Sequence, residues 1–172
     1  MKIMGIDAST SCTGYSVFED GELVAYGAIY PDHKTGIKWR GKLIEIGAKF
    51  KDLLKEHQPD KIYMEDIPIM AGKQMQTLII LGAVQGYFLG FIQANHIPVS
   101  FIQPTTWRSR VGTYDGTRAG MKRVVQKEKA VKKANELFGL NLTWLSENSS
   151  KNQDDIAEAI LIAYSQLFDK GE

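Results

Sequence analysis

The sequence predicts an α/β fold, a mixed five-stranded sheet with helices on both faces. Three short apolar runs open the chain, separated by turn residues; strand-like and helix-period segments then alternate; the last third reads as helices. That order suits a sheet covered by helices.

The first run, Lys2 to Asp7, is apolar and partly β-branched, and it delivers an acid at its C-terminal end. Tyr15 to Phe18 and Leu23 to Tyr30 are two further strands, joined through Glu19-Asp20-Gly21-Glu22, where Asp-Gly between apolar runs is a strong hairpin signal. From Trp39 through Leu43, Ile46, Gly47, Phe50, Leu53 and Leu54, apolar residues recur at three- and four-residue spacing, which predicts a helix ending before Pro59. Lys61 to Glu65 repeats the grammar of the first strand, fed by the turn at Pro59 and Asp60. After a turn-rich segment from Pro68 to Lys73, the density of apolar residues predicts a long helix over about Gln74 to Asn95. Val99 to Ile102 makes a fifth strand, stopped by Pro104, and a basic helix is expected from about Gln126 to Phe138, with Gly139 as its stop. A polar loop from Ser146 to Asn152 precedes a last helix, opened by Asp154 and Asp155 with Asn152 as N-cap, whose Ile156, Ile160, Tyr164 and Leu167 line one face.

Gly82, Gly86 and Gly90 fall at four-residue spacing on the long helix, which costs helix propensity. The smooth strip fits either a dimer contact or tight packing on the chain's own sheet or another helix.

At 172 residues and 44% hydrophobic, the chain is expected to form a single domain, 1–172. Its one cysteine, Cys12, excludes an internal disulfide framework and fits a reducing cytoplasm. No secretory leader is visible, and the longest apolar stretch, Leu78 to Ile92, falls short of the roughly 20 residues a spanning helix needs, so no membrane partner is expected. The formal charge of +1 hides a segregation: Thr105 to Asn135 carries nine basic residues against two acidic ones, while the rest of the chain carries 12 basic and 18 acidic. Such a two-sided molecule can hold a phosphate backbone, although a solvated helix face would read the same way.

Four carboxylates carry the chemistry. Asp7 and Glu65 end strands, and Asp155 and Glu158 lie three apart on one helical face. An acid in a first helical turn is favoured by the macrodipole alone, so the terminal pair by itself fits a structural role. Taken together, the four fit a divalent-cation site: hard cations want oxygen ligands, and two such ions about 4 Å apart activate water and stabilise the leaving oxygen of a phosphodiester.

Gly5-Ile6-Asp7 followed by Thr13-Gly14-Tyr15, Glu65 after an apolar strand, and Asp155-Ile156-Ala157-Glu158-Ala159 opening the last helix resemble RuvC Holliday-junction resolvases, of the ribonuclease H-like superfamily. The likeness runs over nearly the whole chain in element order, and the basic helix ending Glu136-Leu137-Phe138-Gly139 looks more like the phage branch. It implies a homodimeric crossover junction endonuclease dependent on magnesium or manganese, with two ions per site, cutting four-way junctions by paired symmetric nicks. Carried over by position, Asp7, Glu65, Asp155 and Glu158 are the catalytic and metal-binding acids. Arg108 matches a basic residue near the scissile phosphate, and Lys129 matches another. Arg110, Lys122, Arg123, Lys127 and Lys132 join them as DNA-binding candidates, with Met70 and Lys73 from the segment after Glu65.

Three departures stand out. Glu158 replaces the family's common Asp, and Asp154 beside Asp155 leaves that match open by one residue. Bacterial relatives also carry a stacking aromatic shortly after the Glu65 position, where this chain has Ile67-Pro68-Ile69-Met70-Ala71. Ile69 or Met70 could wedge but not stack, so relaxed sequence preference and action on other branched DNA are expected. The rival readings are an actin-like ATP-binding protein or kinase, for which the chain lacks a second related half, and a non-catalytic nucleic-acid module, which crowded acids disfavour.

Overall fold

The computed structural model describes residues 1–33, 36–67 and 75–167. Strands β1 (Lys2–Asp7), β2 (Thr13–Glu19) and β3 (Glu22–Ile29) form an antiparallel meander, followed by α1 (Trp39–His57), β4 (Lys61–Glu65), α2 (Met75–Ala94) and β5 (Val99–Ile102). Three helices complete the chain: α3 (Pro104–Arg110), α4 (Arg123–Phe138) and α5 (Asp154–Tyr164). The sheet order is β3-β2-β1-β4-β5, with β4 parallel to both β1 and β5. This is the mixed five-stranded sheet the sequence predicts.

Strand periodicity divides the side chains between two layers, because successive residues point to opposite faces. Met4 and Ile6 of β1, Val17 of β2 and Ile62 and Met64 of β4 pack against α1 and α2 through Leu43, Ile46, Phe50, Val84 and Phe88. Phe50 and Phe88 stack with centroids 4.1 Å apart, and Gly47 leaves room for the Tyr87 ring, which a Cβ would meet at 2.1 Å. Ile3 and Phe18 belong to the opposite layer, with Trp107, Ala130, Val131, Ile160 and Leu161. Counting along β1 in twos from Ile3 reaches Gly5 and then Asp7, so the acid leaves the sheet on the α5 side.

That side is unusually close-packed. A Cβ on Gly5 would lie 2.2 Å from the Ala159 carbonyl oxygen, and one on Gly14 would lie 1.9 Å from that of Asp155. Ser16 on β2 donates a hydrogen bond to the Ala159 carbonyl at 2.9 Å. The N-terminal half of α5 therefore lies directly on the β1–β2 backbone, a contact that only absent side chains permit.

Four expectations need correction. A short helix, α3, follows β5, with Pro104 at its first turn, where a missing N–H costs nothing. The basic helix starts at Arg123, a turn earlier than its apolar pattern indicates. The residue capping α5 is Gln153 rather than Asn152, whose side chain instead bonds Leu145 N–H and the Ser146 carbonyl. Nor is α5 amphipathic: it is buried from Ile156 to Ala163 and ends at Tyr164, before Leu167, because it is sandwiched between the sheet and α4.

Helix α2 is the counterpart. Its 20 residues include only three buried ones, Val84, Phe88 and Ile92, while Met75 and Ile79 are exposed. Gly82, Gly86 and Gly90 face no atom within 4 Å among the described residues, so packing on the chain's own sheet is not what the strip serves. The helix is also longer than the apolar stretch Leu78 to Ile92: by length and mean hydropathy (1.6) it is sufficient to cross a membrane.

Candidate active site

Parallel pairing sets the first half of the site. Ile6 of β1 lies opposite Met64 of β4, so Asp7 and Glu65 emerge side by side at the same sheet edge and on the same face. The second half comes from α5. Its first turn crosses over Gly14, the residue paired with Asp7 across the β1–β2 ladder, and this brings Asp155 and Glu158 over the strand end. Carboxylate oxygens of Asp7, Asp155 and Glu158 lie within 4.8 Å of one another. Glu65 shares one cavity of about 430 Å³ with all three.

Cations hold the acids in place unequally. Arg108, nine-tenths buried on α3, reaches Glu158 with one guanidinium nitrogen at 2.7 Å and Glu65 with the other at 3.3 Å. Its guanidinium lies 4.3 Å over the Trp107 ring, and the Trp107 indole N–H donates to Glu65 at 2.9 Å. The Gln85 amide of α2 donates to the Glu65 backbone carbonyl at 2.8 Å. Lys127 of α4 pairs with Asp154 and stands 3.7 Å from Asp155. Asp154 is thus taken up in a buried ion pair, and Asp155 is the acid that faces Asp7.

Among the described residues no cation pairs with Asp7 in this way. Its carboxyl is held well above the ordinary carboxylate range, chiefly by burial, then by the charges of Glu158, Glu65 and Asp155, with Lys127 pulling weakly the other way. Like charges crowded in this manner are relieved by a hard cation, and three convergent carboxylates form the oxygen donor set that magnesium or manganese takes. The residues present therefore fit a divalent metal.

The basic candidates separate. Arg108, Arg123 and Lys127 line the cavity. Arg110 points away and donates to Gln166 at 2.8 Å. Lys129, matched by position to a family residue near the phosphate, is instead paired with Asp115 at 2.5 Å and does not line the cavity; Lys127, two residues earlier, does. Lys122 caps α4, and Lys132 lies exposed further along it. Met70 and Lys73 fall outside the described residues. Sequence reasoning missed Trp107 and Gln85 as supports of Glu65; the one available signal was the adjacency of Trp107 to Arg108.

Known proteins resemble this chain in sequence and in fold. Residues 1–166 match the family DUF3882, described as Lactococcus phage M3 protein. The chain is 26% identical to the crossover junction endodeoxyribonuclease RuvC of Syntrophomonas wolfei over 97% of its length and 88% of the relative's. It is 28% identical to that of Carboxydothermus hydrogenoformans, covering 99% of this chain and 98% of the other. The fold superposes on Thermus thermophilus RuvC, solved in complex with a Holliday junction substrate, with a TM-score of 0.70 at 16% identity, covering 98% and 94% of the two chains. The chain thus belongs to the Lactococcus phage M3 protein family, and over nearly its whole length it is similar to RuvC crossover junction endodeoxyribonucleases.

Proposed function

We propose that the chain is a structure-selective endonuclease that resolves four-way DNA junctions and cuts other branched DNA, with Asp7, Glu65, Asp155 and Glu158 as catalytic, metal-holding acids. The observation that carries this reading is the convergence of Asp7, Asp155 and Glu158 oxygens within 4.8 Å, with Glu65 across the same cavity. Asp7, with which no cation of the described residues pairs, would hold magnesium or manganese together with Glu65, Asp155 and Glu158. Divalent ions held there would supply a nucleophilic water and stabilisation of the leaving oxygen.

The chain's own groups do the rest. Lys127 and Arg123 stand at the cavity wall, where they draw in and orient the phosphodiester, since cations bind backbone without reading sequence. Arg108 ties Glu65 to Glu158 and so sets the spacing of acids on different elements. Arg110, Lys122, Lys129 and Lys132 extend the basic surface along the duplex arms. The absence of an aromatic between Ile67 and Lys73 supports relaxed sequence preference.

Paired nicks require the site twice, and a two-fold homodimer presents it twice. The glycine strip of α2, with Met75 and Ile79 exposed beside it, supplies a smooth apolar face for a second copy. The working unit is then a pair of single domains, each 1–172, acting on DNA in the bacterial cytoplasm.

Labelled four-way, three-way and linear duplex DNA, incubated with magnesium or with chelator, tests the reading. Symmetric nicks on branched DNA in magnesium alone are expected. Equal cutting of linear duplex would reduce the protein to a general nuclease, and cutting in chelator would remove the metal mechanism.

A further inference from the structure

A second cavity, of about 680 Å³, adjoins the catalytic one, and the proposed hydrolysis makes no use of it. The two share Arg123, Lys127 and Asp155 in their walls, so a strand lying at the acids has a continuous path into the second space. Trp144, Glu147 to Ser150 and Asn152 line it from the loop before α5, and Cys12 and Tyr30 from the sheet end.

Trp144 is set there by its neighbours. Thr143 and Gln153 are clamped to each other twice: the Gln153 backbone N–H donates to the Thr143 carbonyl, and the Thr143 N–H donates to the Gln153 side-chain oxygen, both at 2.9 Å. Leu145 N–H donates to the Asn152 side chain at 2.9 Å, and the Asn152 amide donates to the Ser146 carbonyl at 2.7 Å. The residues on both sides of Trp144 are therefore fixed, while its ring is only half-buried, packed on the core under α4 and α5 and otherwise open to the cavity. A rigid aromatic with a free surface, in a pocket whose size falls within the range of ligand sites, is a stacking platform.

The chemistry of the walls selects the occupant. Asp154 is neutralised by Lys127, and the remaining lining is mostly neutral and hydrogen-bonding, including Asn148 and Ser149. Such a space takes a flat polar ring rather than a second phosphate, and the phosphate attached to that ring falls at Arg123 and Lys127. We propose that the cavity holds the base of one unpaired nucleotide adjoining the scissile phosphate, stacked on Trp144. The inference rests on the nuclease reading above and names a subsite for it. It also places the stacking ring of this chain on the α5 side of the acids, whereas the sequence after Glu65, from Ile67 to Lys73, carries no ring. Stacking tolerates every base, so the subsite holds a flipped nucleotide without imposing a strict sequence.

The test uses the full-length protein with Asp7→Asn, which keeps DNA intact, in chelator. Four-way junctions carry 2-aminopurine at each of the two nucleotides on either side of the cut. One position is expected to change fluorescence on binding. Trp144→Leu, which keeps an apolar side chain against the core, is expected to abolish that change and weaken binding about tenfold, whereas Trp144→Phe retains both. Thermal melts of both variants establish that they are folded; should Trp144→Leu unfold, Asn148→Trp, which fills the pocket from an exposed position, must abolish the same signal. A signal unchanged in the Leu variant, or absent at all four positions while the junction binds, overturns the subsite alone. Failure of the parent to bind the junction overturns the nuclease reading with it.

Discussion

Glycine does opposite work on the two faces of the sheet. Under α5, Gly5 and Gly14 remove side chains so that a helix of the same chain lies on the strands, with carbonyl oxygens 2.2 and 1.9 Å from where a Cβ would stand. On α2, no described residue lies within 4 Å of where a Cβ on Gly82, Gly86 or Gly90 would stand. One face uses close approach to bring Asp155 over Asp7 and build the acid cluster. The other keeps a smooth surface, which in the proposed dimer receives a partner. The contrast teaches that a run of small residues signals close approach, while the direction of that approach is set by the fold.

Breaking the acid face has the largest effect. Asp7→Asn is expected to reduce cleavage to the uncatalysed level while preserving or strengthening junction binding, because a negative charge facing phosphate is removed; gel-shift and cleavage assays on the same preparation measure both. Parental cleavage would refute the role given to Asp7.

Next comes the close contact itself. Gly14→Ala forces a methyl group against the Asp155 carbonyl, so a loss of roughly 2–3 kcal/mol in urea unfolding is expected, with cleavage lost as α5 shifts. Gly86→Ala adds the same methyl where no described residue lies within 4 Å, so within one protomer an improvement of about 0.5–1 kcal/mol follows from helix propensity. Opposite signs for one substitution on two faces would sharpen the comparison; equal losses would end it. Gly86→Glu, which places a charge on the proposed dimer face, is expected to give monomers in sedimentation experiments.

The acid cluster also leaves a signature in stability. Asp7 has a folded pKa raised above its unfolded value, so its contribution is fully present at pH below the unfolded carboxylate range and is lost as pH rises through the raised value. Metal-free protein should therefore melt at lower temperature as pH rises out of the acid range. Asp7→Asn should melt about 3 °C higher than the parent in chelator at neutral pH, the shift that roughly 1 kcal/mol produces in a chain of this size. Added magnesium should close the gap by stabilising only the parent.

The smallest effect separates the two lysines of α4. Lys129→Ala removes a surface pair with Asp115, and cleavage is expected within about twofold of the parent. Lys127→Ala leaves Asp154 buried without its partner and strips the cavity wall, so it should cost far more in both melting temperature and rate.

Much of this was legible in the residues. Apolar runs of strand length, the Asp-Gly turn and three- and four-residue periodicity located the strands and long helices, since those signals are local. The four acids stood out because each ends a strand or opens a helix. Helix α3 was not legible, as seven residues beginning at a proline carry too little periodicity to read. The choice between Asp154 and Asp155, and between Lys127 and Lys129, was likewise hidden, because each residue along a helix turns the side chain by about 100°, one step for the acids and two for the lysines, and only the neighbour it meets decides its role.

By itself, then, the sequence determined the order of elements, the acids at their ends and the basic segment, all properties of residues near one another in the chain. Only the tertiary structure decided that β1 and β4 lie side by side, that α5 rests on Gly5 and Gly14, that Arg108 joins Glu65 to Glu158, and that Trp144 borders the site. The physical reason is that carboxylates from strands and a helix 90 to 151 residues apart in the chain meet through backbone pairing and close packing, and neither leaves a mark in any one segment.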